Sequence, residues 1–382
     1  MMTHASNATP PAAGAAPTDT HEHSGESYPA LVWRRFRRSR LALVGLAMLL
    51  LLVMLSVFAP FFAPVDPTAR NSANSYGPPQ TLSWYSEEEG FSLRPFVHPY
   101  EESFDPVTYQ PILEPDTGER IYVTFFARGW EYTWLGISLS RHLIQLEDGS
   151  PLHLLGSDAL GRDLFSRILF GSRLTLLLGV LVVAVSVTVG TLVGITSGYF
   201  GGRKDNLIQR ITELFLAFPE LPLFLALIAI LPQAAQASTL FLLMVGILSI
   251  LKWAQLAREV RGKALSLAQL DYVKAAIACG ASDKRIILRH ILPNVMSHVI
   301  VVATILIPNV ILAESFLSFL GVGIQAPLIS LGQLLNAAAD FQAVGAYPWL
   351  LSPVLFILLA VLAFNAIGDG LRDAIDPYGK VR

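Results

Sequence analysis

The chain has 382 residues, of which 53% are apolar and only 15% are charged. A soluble domain of this length normally carries about a quarter charged residues, so the composition excludes an ordinary soluble protein and indicates lipid as the solvent. The single cysteine, Cys279, excludes an internal disulfide and a cysteine-based metal site; no metal site is expected.

Residues 1–30 are rich in Ala, Pro, Thr and His and show no helical or strand periodicity. This composition predicts a disordered cytoplasmic tail. The histidines His4, His21 and His23 are more typical of a solvated tail than of a metal site.

A basic stretch and the first apolar run occupy residues 31–65. A helix rises about 1.5 Å per residue, so crossing a hydrocarbon core of about 30 Å takes about 20 apolar residues. Residues 221–251 are interpreted as most of one span, a short turn and the start of the next. In total, the predicted spans are 41–63, 174–199, 212–231, 239–257, 298–320 and 349–368. The fold class expected is an all-α polytopic membrane protein with six transmembrane helices.

Five arginines stand directly before the first span: Arg34, Arg35, Arg37, Arg38 and Arg40. Because Lys and Arg accumulate on the cytoplasmic side of membrane proteins, this end is predicted to lie inside. With six spans, both termini are then cytoplasmic. The first apolar run is too long, and begins too late, for a cleaved signal peptide, so it is expected to stay as an anchor.

Residues 66–150 form a polar insert between the first two spans. The insert holds an acidic run at Glu87 to Glu89 and alternating stretches such as 121–126. These features predict a small, partly β extracytoplasmic module. Two interpretations stay open, a docking or gating surface and a structural cap over the helices. The remaining residues, 151–382, are predicted to form the membrane core with spans two to six.

The second span carries a small residue at every fourth position: Ser186, Gly190, Gly194 and Gly198. Such residues share one helix face and let a second helix approach closely, which is how helices associate in lipid. The spacing predicts a packing interface on this face.

Residues 258–297 form a predicted cytoplasmic segment. Glu259 and Lys263 are four residues apart in the favourable order, which predicts a helix that continues out of the membrane. We expect Asp271 to cap a short helix that begins at Tyr272, and Gly280 to end it. We expect Ser282 to cap a second short helix, which runs toward His290 and stops before Pro293. Two short helices that meet at Gly280 would make a knob suited to a groove on a partner.

The same segment resembles the EAA loop of ATP-binding-cassette (ABC) importer permeases, through Lys274, Ala275, Ala276 and Gly280, followed by Leu292 and Pro293. It departs from that pattern at Lys274, where glutamate is usual, and at His290, where isoleucine is usual. In that family the loop docks into the ATPase subunit and transmits its motion. The residues that the resemblance assigns to this role are Asp271, Lys274, Ala275, Ala276, Gly280, Ala281, Ser282, Arg289, His290, Leu292 and Pro293. Lys274 would oppose the helix dipole, which favours an acidic partner surface for its side chain.

The residues before the second span narrow the resemblance to the C-type permease of dipeptide and oligopeptide importers. The motif consists of Gly156, Asp158, Gly161, Arg162, Asp163 and Arg167, and the end of the chain is similar to the same subunit from 318 onward. Longer-insert members of this group are similar to transporters of oligosaccharides as well as peptides, so both substrate classes stay open.

The resemblance implies a bacterial cytoplasmic-membrane importer assembled from several chains. Its expected partners are a second, B-type permease subunit, two ABC ATPase subunits, an extracytoplasmic solute-binding protein and membrane lipid; no nucleic acid is expected. The resemblance implies that this chain holds no cofactor, because ATP and Mg are bound by the partner ATPases. The chain itself lacks the P-loop pattern, since Gly262 and Lys263 are followed by Ala264.

Three polar residues near the predicted spans are candidates for the transport pathway: Glu220, Glu314 and Asn365. A carboxylate at the bilayer centre costs roughly 2–3 kcal/mol, so such a group should face protein or water. Glu220 lies between two prolines and is expected either to line the pathway or to pair with a neighbour. Glu314 is expected near the outer end of its span, where interfacial water would solvate it, and Asn365 is expected to bridge helices.

Asp158, Arg162, Asp163 and Arg167 form a charged cluster that is interpreted as a structural ion-pair network outside the membrane. Two other protein classes fit the sequence less well. A secondary transporter would not need the knob at 258–297 and would more often show internal repeats. A membrane enzyme would need a nucleophile, base or metal set such as H-E-x-x-H, and the sequence has none. The chain is therefore not expected to be an enzyme.

Overall fold

The structure is a computed structural model that describes residues 27–86, 90–104, 111–116, 118–231 and 236–375. The predictions for the tail at 1–26, with its histidines, and for the acidic run at 87–89 lie outside these residues. The described chain is mainly helical. Its helices are α1 Tyr28–Phe36, α2 Arg40–Val57, α3 Ala59–Phe62, α4 Leu164–Phe200, α5 Gly202–Ala217, α6 Glu220–Ala229, α7 Ala237–Ala268, α8 Asp271–Ala278, α9 Asp283–Ile286, α10 Leu292–Phe319, α11 Leu331–Leu335, α12 Phe341–Ala346 and α13 Ser352–Ile375.

Five helices in the described part of the chain are long and apolar enough to cross a membrane: Arg40–Val57, Leu164–Phe200, Ala237–Ala268, Asp283–Phe319 and Pro348–Ile375. A sixth is obtained if α5 and α6 together form one span. The segment predicted as a span over 212–231 is broken in the structure, because α5 and α6 meet at an angle of 84°. The physical reason is Pro219, which keeps the preceding Phe218 in an extended conformation.

Several helices extend well beyond the predicted apolar spans. The helix predicted over 174–199 begins ten residues earlier, at Leu164, where the Asp163 carboxylate accepts a hydrogen bond from the Ser166 amide at 2.6 Å. The continuation of the 239–257 span is confirmed, since α7 runs to Ala268. The membrane helices therefore carry polar ends.

The small-residue face of α4 packs against α7, which confirms the predicted interface. A β-carbon added at Gly190, Gly194 or Gly198 would lie 2.8, 2.5 or 2.7 Å from a main-chain carbonyl oxygen of α7. No side chain fits at those distances, so glycine is required by space rather than by backbone conformation. We call these three residues, with the α7 carbonyls of Trp253, Ala257 and Arg261, the glycine interface.

The described residues between α3 and α4 form eight strands: β1 Ser83–Ser86, β2 Gly90–Val97, β3 Tyr100–Phe104, β4 Pro111–Pro115, β5 Ile121–Phe125, β6 Arg128–Trp134, β7 Ile137–Arg141 and β8 Ile144–Leu146. A four-stranded antiparallel sheet has the order β1-β2-β5-β8, and β3-β4 and β6-β7 form two separate pairs. Val97, Val123, Leu146 and Leu152 form a small apolar core on the sheet. The insert is therefore a packed module with its own core.

Candidate functional site

The EAA-like segment, residues 258–297, turns sharply at Gly280. Gly280 has a φ of +77°, a left-handed conformation that glycine adopts without a steric cost. The Gly280 amide donates to the Ile277 carbonyl at 2.9 Å, and the Ala281 amide donates to the Ala276 carbonyl at 3.1 Å. This pair of bonds is a Schellman motif, which satisfies the carbonyls at the end of α8. The prediction that Gly280 ends the first short helix is confirmed.

The predicted caps of the two short helices are only partly correct. Asp271 is the first residue of α8 rather than its cap, because Leu270 holds the extended capping position. Ser282 does precede α9, but within the described ranges its hydroxyl makes no capping hydrogen bond. The start of α9 is instead held from α4, since the Tyr199 hydroxyl donates to the Asp283 carboxylate at 2.7 Å.

The prediction that the second helix stops before Pro293 is wrong. A π-helical turn at Ile287–Ile291 joins α9 to α10, and the Leu292 amide donates to the Ile287 carbonyl five residues back. Pro293 then falls in the first turn of α10, directly after the π-helical turn. The knob is therefore one short helix, α8, followed by a turn into the long helix that leads back to the membrane.

The EAA-like segment has a buried side and an exposed side. Val273, Ile286 and Ile291 are buried in an apolar cluster with residues of α4 and α7, which fixes the segment to the helical core. His290 is partly buried, with its ring 6.1 Å from that of Tyr272. The exposed side includes Lys274, Ala275, Gly280 and Ser282, whereas Ala276 and Ala281 are half-buried.

An open groove of about 590 Å³ runs along the exposed side. Its lining residues are Ser282, Lys284, Arg285, Leu288, Arg289 and Pro293. Three of these six side chains are basic, and Leu288 and Ile277 add exposed apolar area nearby. The arrangement suits a partner surface that combines acidic and apolar groups.

An ion pair that the sequence did not indicate connects α5 to the part of this segment that belongs to α7. Arg261 donates two hydrogen bonds of 2.6 Å to the two carboxylate oxygens of Asp205. The Ser197 hydroxyl donates to the same carboxylate, and the Gln209 amide donates to that hydroxyl at 2.9 Å. The pair joins residues 56 positions apart, so no local pattern could have revealed it.

The motif residues at the start of α4 form a compact structure that we call the clasp: Gly156, Asp158, Gly161, Arg162, Asp163 and Arg167. Arg162 pairs with Asp158 at 2.7 Å, and Arg167 lies 3.7 Å from the same carboxylate. Asp163 does not join that network; its carboxylate caps α4 and contacts His153 at 3.1 Å. Gly156 and Gly161 both have positive φ, and a β-carbon at Gly161 would overlap the Asn71 carbonyl. The clasp therefore fixes the end of the insert to the start of α4.

Aromatic residues extend the clasp toward the end of the chain. The Trp349 indole donates to the Ser157 carbonyl at 3.1 Å, and the rings of Tyr76 and Tyr347 stack at 4.2 Å. Burial, with a smaller contribution from the charges nearby, raises the pKa of Tyr76 above its ordinary value. Tyr76 is thus a neutral phenol at physiological pH, as a stacked packing residue should be.

A cavity of about 250 Å³ lies between α7 and α10. It is lined by Lys252, Gln255, Leu256, Glu259, Val302, Ile305, Leu306 and Asn309. Lys252, Gln255 and Glu259 share one face of α7, and Glu259 lies 3.3 Å from the imidazole of His298. Because polar groups in membrane helices mark water-filled or ligand paths, this cavity is the strongest pathway candidate in the described chain. Its signal in the sequence was the polar spacing of Lys252, Gln255 and Glu259.

The three pathway candidates taken from the sequence have different surroundings. Glu220 is ion-paired with Lys252, so it has a neighbour at the edge of the cavity. The expected solvation of Glu314 is wrong: its side chain is fully buried, and its carboxylate accepts a hydrogen bond from Ser318 at 2.7 Å. The Asn365 side chain is exposed and makes no hydrogen bond to another described residue, so its bridging of helices stays a prediction.

The described geometry is that of a polytopic helical membrane protein with a polar pathway candidate and an exposed basic segment. Comparison of the sequence with known protein families shows which family the chain belongs to. The sequence profile of the binding-protein-dependent transport system inner membrane component matches residues 190–378. The profile of the N-terminal transmembrane domain of oligopeptide transport permease C matches residues 27–79. The chain belongs to this family of ABC transport permeases and is a multi-pass membrane protein.

Among curated relatives, the chain is similar to the oligopeptide transport system permease protein OppC of Haemophilus influenzae. The two are 46% identical over 229 residues, which cover 60% of this chain and 71% of that protein. The dipeptide transport system permease protein DppC of the same organism is 33% identical, over 91% of this chain and 94% of that protein. The glutathione transport system permease protein GsiD of Pectobacterium atrosepticum is 42% identical, over 61% of this chain and 75% of that protein.

A solved structure, the inward-facing MetNI methionine ABC transporter, also matches. The TM-score is 0.43 at 17% identity, with 56% of this chain and 97% of that chain covered. The family assignment does not depend on it.

Proposed function

We propose that this chain is one of two permease subunits of a bacterial ABC importer that carries peptides across the cytoplasmic membrane. Family membership supports the class of transporter, and the relatives named for oligopeptides, dipeptides and glutathione support the substrate class. All three of those substrates are peptides. Oligosaccharides are the alternative cargo, and an ATP-independent secondary transporter is the alternative of a different class.

The topology that fits this function has six spans, with α5 and α6 counted as one broken span. Both termini and the EAA-like segment then lie in the cytoplasm, and the insert at 66–150 lies outside. The arginines before α2 and the basic residues around Arg285 support this orientation, because cytoplasmic segments collect Lys and Arg.

The observation that carries the proposal is the shape and charge of the EAA-like segment. Its buried side is anchored in the helical core, and its exposed side offers a basic groove beside the turn at Gly280. A partner ATPase that engages this groove would move α10 directly, because the π-helical turn joins the segment to α10 without a break. In this proposal ATP and Mg are bound by two partner ATPases, and a solute-binding protein delivers the substrate.

The cavity between α7 and α10 is the proposed contribution of this chain to the translocation path. Lys252, Glu259 and Asn309 place a cation, an anion and an amide along its wall. A peptide backbone with charged ends can exchange hydrogen bonds and ion pairs with such a wall as it passes. The B-type permease subunit would supply the opposite wall.

Reconstitution of the assembly tests the proposal. The tagged protein is purified from native membranes, its co-purifying chains are identified by mass spectrometry, and uptake of labelled peptides and oligosaccharides into proteoliposomes is measured. Recovery of a second permease and two P-loop ATPases, with ATP-dependent peptide uptake, is expected. Oligosaccharide uptake alone would overturn the substrate class, and ATP-independent uptake by the isolated chain would overturn the transporter class.

Two variants test the role of the EAA-like segment within that assembly. Gly280→Asp, or deletion of 272–283, should abolish the coupling of ATP hydrolysis to uptake and leave membrane insertion intact. Gly345→Asp, at an open position on α12 with no strained backbone, is the matched control and should transport normally. Unchanged uptake in the Gly280→Asp assembly would contradict the assignment.

A further inference from the structure

The β6–β7 hairpin of the insert has an apolar tip that projects from the protein. Leu135 and Gly136 form a two-residue turn with φ values of +50° and +84°, which suits a tight hairpin. The Leu135 side chain is 83% exposed and that of Ile137 is 60% exposed. Neither side chain belongs to the apolar clusters that the described residues of the insert form, so both leave apolar surface open to another contact.

The contacts of the hairpin show which way its tip points. Near the base, the Trp130 indole donates to the Ala63 carbonyl at 3.3 Å. Near the tip, the ring of Trp134 lies 5.2 Å from that of Phe58. Phe58 directly follows α2, whereas Ala63 lies beyond α3. The base of the hairpin therefore lies near Ala63, and its tip lies near the C-terminal end of the membrane helix α2.

The level of Phe58 corresponds to the edge of the bilayer. The 18 residues of α2 span about 27 Å at about 1.5 Å each, close to the hydrocarbon thickness of about 30 Å. Met54, Val57 and Phe58 are exposed apolar residues on the last turn of α2 and just after it. The tip of the hairpin thus continues the lipid-facing surface of α2.

The charge distribution along the hairpin agrees with this placement. Residues 132–140 contain no charged side chain, whereas Glu131 and Arg141 lie at the base. Trp134 lies within this uncharged stretch, directly before the turn, and tryptophan is enriched at the membrane–water interface. By contrast, Leu93 on β2 is 90% exposed but lies beside the Arg94–Glu147 ion pair.

We propose that the tip of the β6–β7 hairpin inserts Leu135 and Ile137 into the lipid headgroup layer at the C-terminal end of α2. The partner is the lipid surface itself. This contact fixes the tilt of the insert relative to the membrane and needs only that α2 crosses the bilayer. It is independent of the substrate and of the role given to the EAA-like segment.

The test uses the full transporter assembly with the exposed Cys279 replaced by serine. An environment-sensitive fluorophore is attached to Leu135→Cys or, as the matched control on the same hairpin, to Glu131→Cys. Each labelled assembly is reconstituted into phosphatidylcholine vesicles, with or without lipids that carry a nitroxide near the headgroup. Quenching by the lipid nitroxide and by aqueous iodide is measured for each probe, and equal melting temperatures confirm that both variants fold.

We expect the probe at position 135 to show blue-shifted emission. The lipid nitroxide should quench it several times more strongly than the probe at position 131. Aqueous iodide should quench the probe at position 131 more strongly than the probe at position 135. Equal iodide quenching at the two positions, with no lipid quenching at 135, would overturn the proposal. Protection of the probe at 135 from both quenchers would also overturn it, because that pattern indicates a protein neighbour.

Discussion

Glycine has opposite physical roles in the glycine interface and in the EAA-like segment. At Gly194 the helical backbone is ordinary, but a β-carbon would meet the Ala257 carbonyl at 2.5 Å. At Gly280 no described atom lies within 4 Å of a β-carbon, but the φ of +77° disfavours any side chain. The first position is limited by a neighbour and the second by its own backbone.

This difference separates the stability of the protein from its proposed function. The glycine interface holds α4 against α7 inside one chain, so damage there should be visible as loss of folded protein. The turn at Gly280 is exposed and directs a surface toward a partner, so damage there should leave the fold nearly intact. The following substitutions probe this contrast.

The largest effect is expected for Gly194→Val. The valine side chain cannot fit against the Ala257 carbonyl, so α4 and α7 must separate along the interface. Overpacking of a close interface typically costs about 1–3 kcal/mol, and we expect about 3 kcal/mol or more here because the neighbour is main chain. The melting temperature of the detergent-purified protein measures the loss. Gly246→Val on α7, where a β-carbon meets open space, is the control; equal melting temperatures for the two variants would contradict the close packing.

Next in size is Asp205→Asn, at the Gly198 end of the same interface. The substitution removes the charge-assisted bonds from Arg261, whose carbonyl lies against Gly198. Charge-assisted hydrogen bonds contribute about 1.5–3 kcal/mol, and we expect the free energy of unfolding to fall by about 2 kcal/mol. Chemical denaturation in detergent measures it. Glu213→Gln breaks the exposed pair with Arg210 and should cost well under about 1 kcal/mol; a larger loss there than at Asp205 would refute this ranking.

A smaller change in stability, with a large change in transport, is expected at Gly280. Valine is disfavoured in the left-handed region by about 1–2 kcal/mol, whereas asparagine tolerates it better. Gly280→Val should therefore lower ATP-dependent uptake strongly with little change in melting temperature, and Gly280→Asn should retain more uptake. Proteoliposome uptake and ATPase activity of the assembly are the two measurements. Identical uptake by the valine and asparagine variants would show that backbone conformation at this turn does not matter.

The smallest effect is expected for Ser282→Ala. A capping serine usually contributes about 1 kcal/mol, but the Ser282 hydroxyl makes no capping bond among the described residues, so we expect a change within about 0.5 kcal/mol. Asp163→Ala is the comparison, since the Asp163 carboxylate caps α4. The melting temperatures of the two variants, measured by thermal unfolding, test this expectation. A loss at Ser282 that matches the loss at Asp163 would mean that the serine side chain caps α9 after all.

Local sequence pattern was sufficient for the main features of the helices. Long uncharged runs located the membrane segments, and the four-residue spacing of glycines identified the face of α4 that packs closely. Both signals lie within a single helix, so they can be recognised in the sequence without knowledge of the neighbouring helices. The left-handed turn at Gly280 was also predictable, because the residue type and its position after a short helix specify a C-terminal cap.

Contacts between distant residues needed the tertiary structure. Glu314 was expected in water but is buried against Ser318, and the pairing of Asp205 with Arg261 had no signal in the sequence. The direction of the β6–β7 hairpin likewise depends on where Trp134 meets Phe58. Periodicity gives a helix its faces, but only the packing of one element on another decides which polar group each face meets and which surface it leaves open to lipid or to a partner.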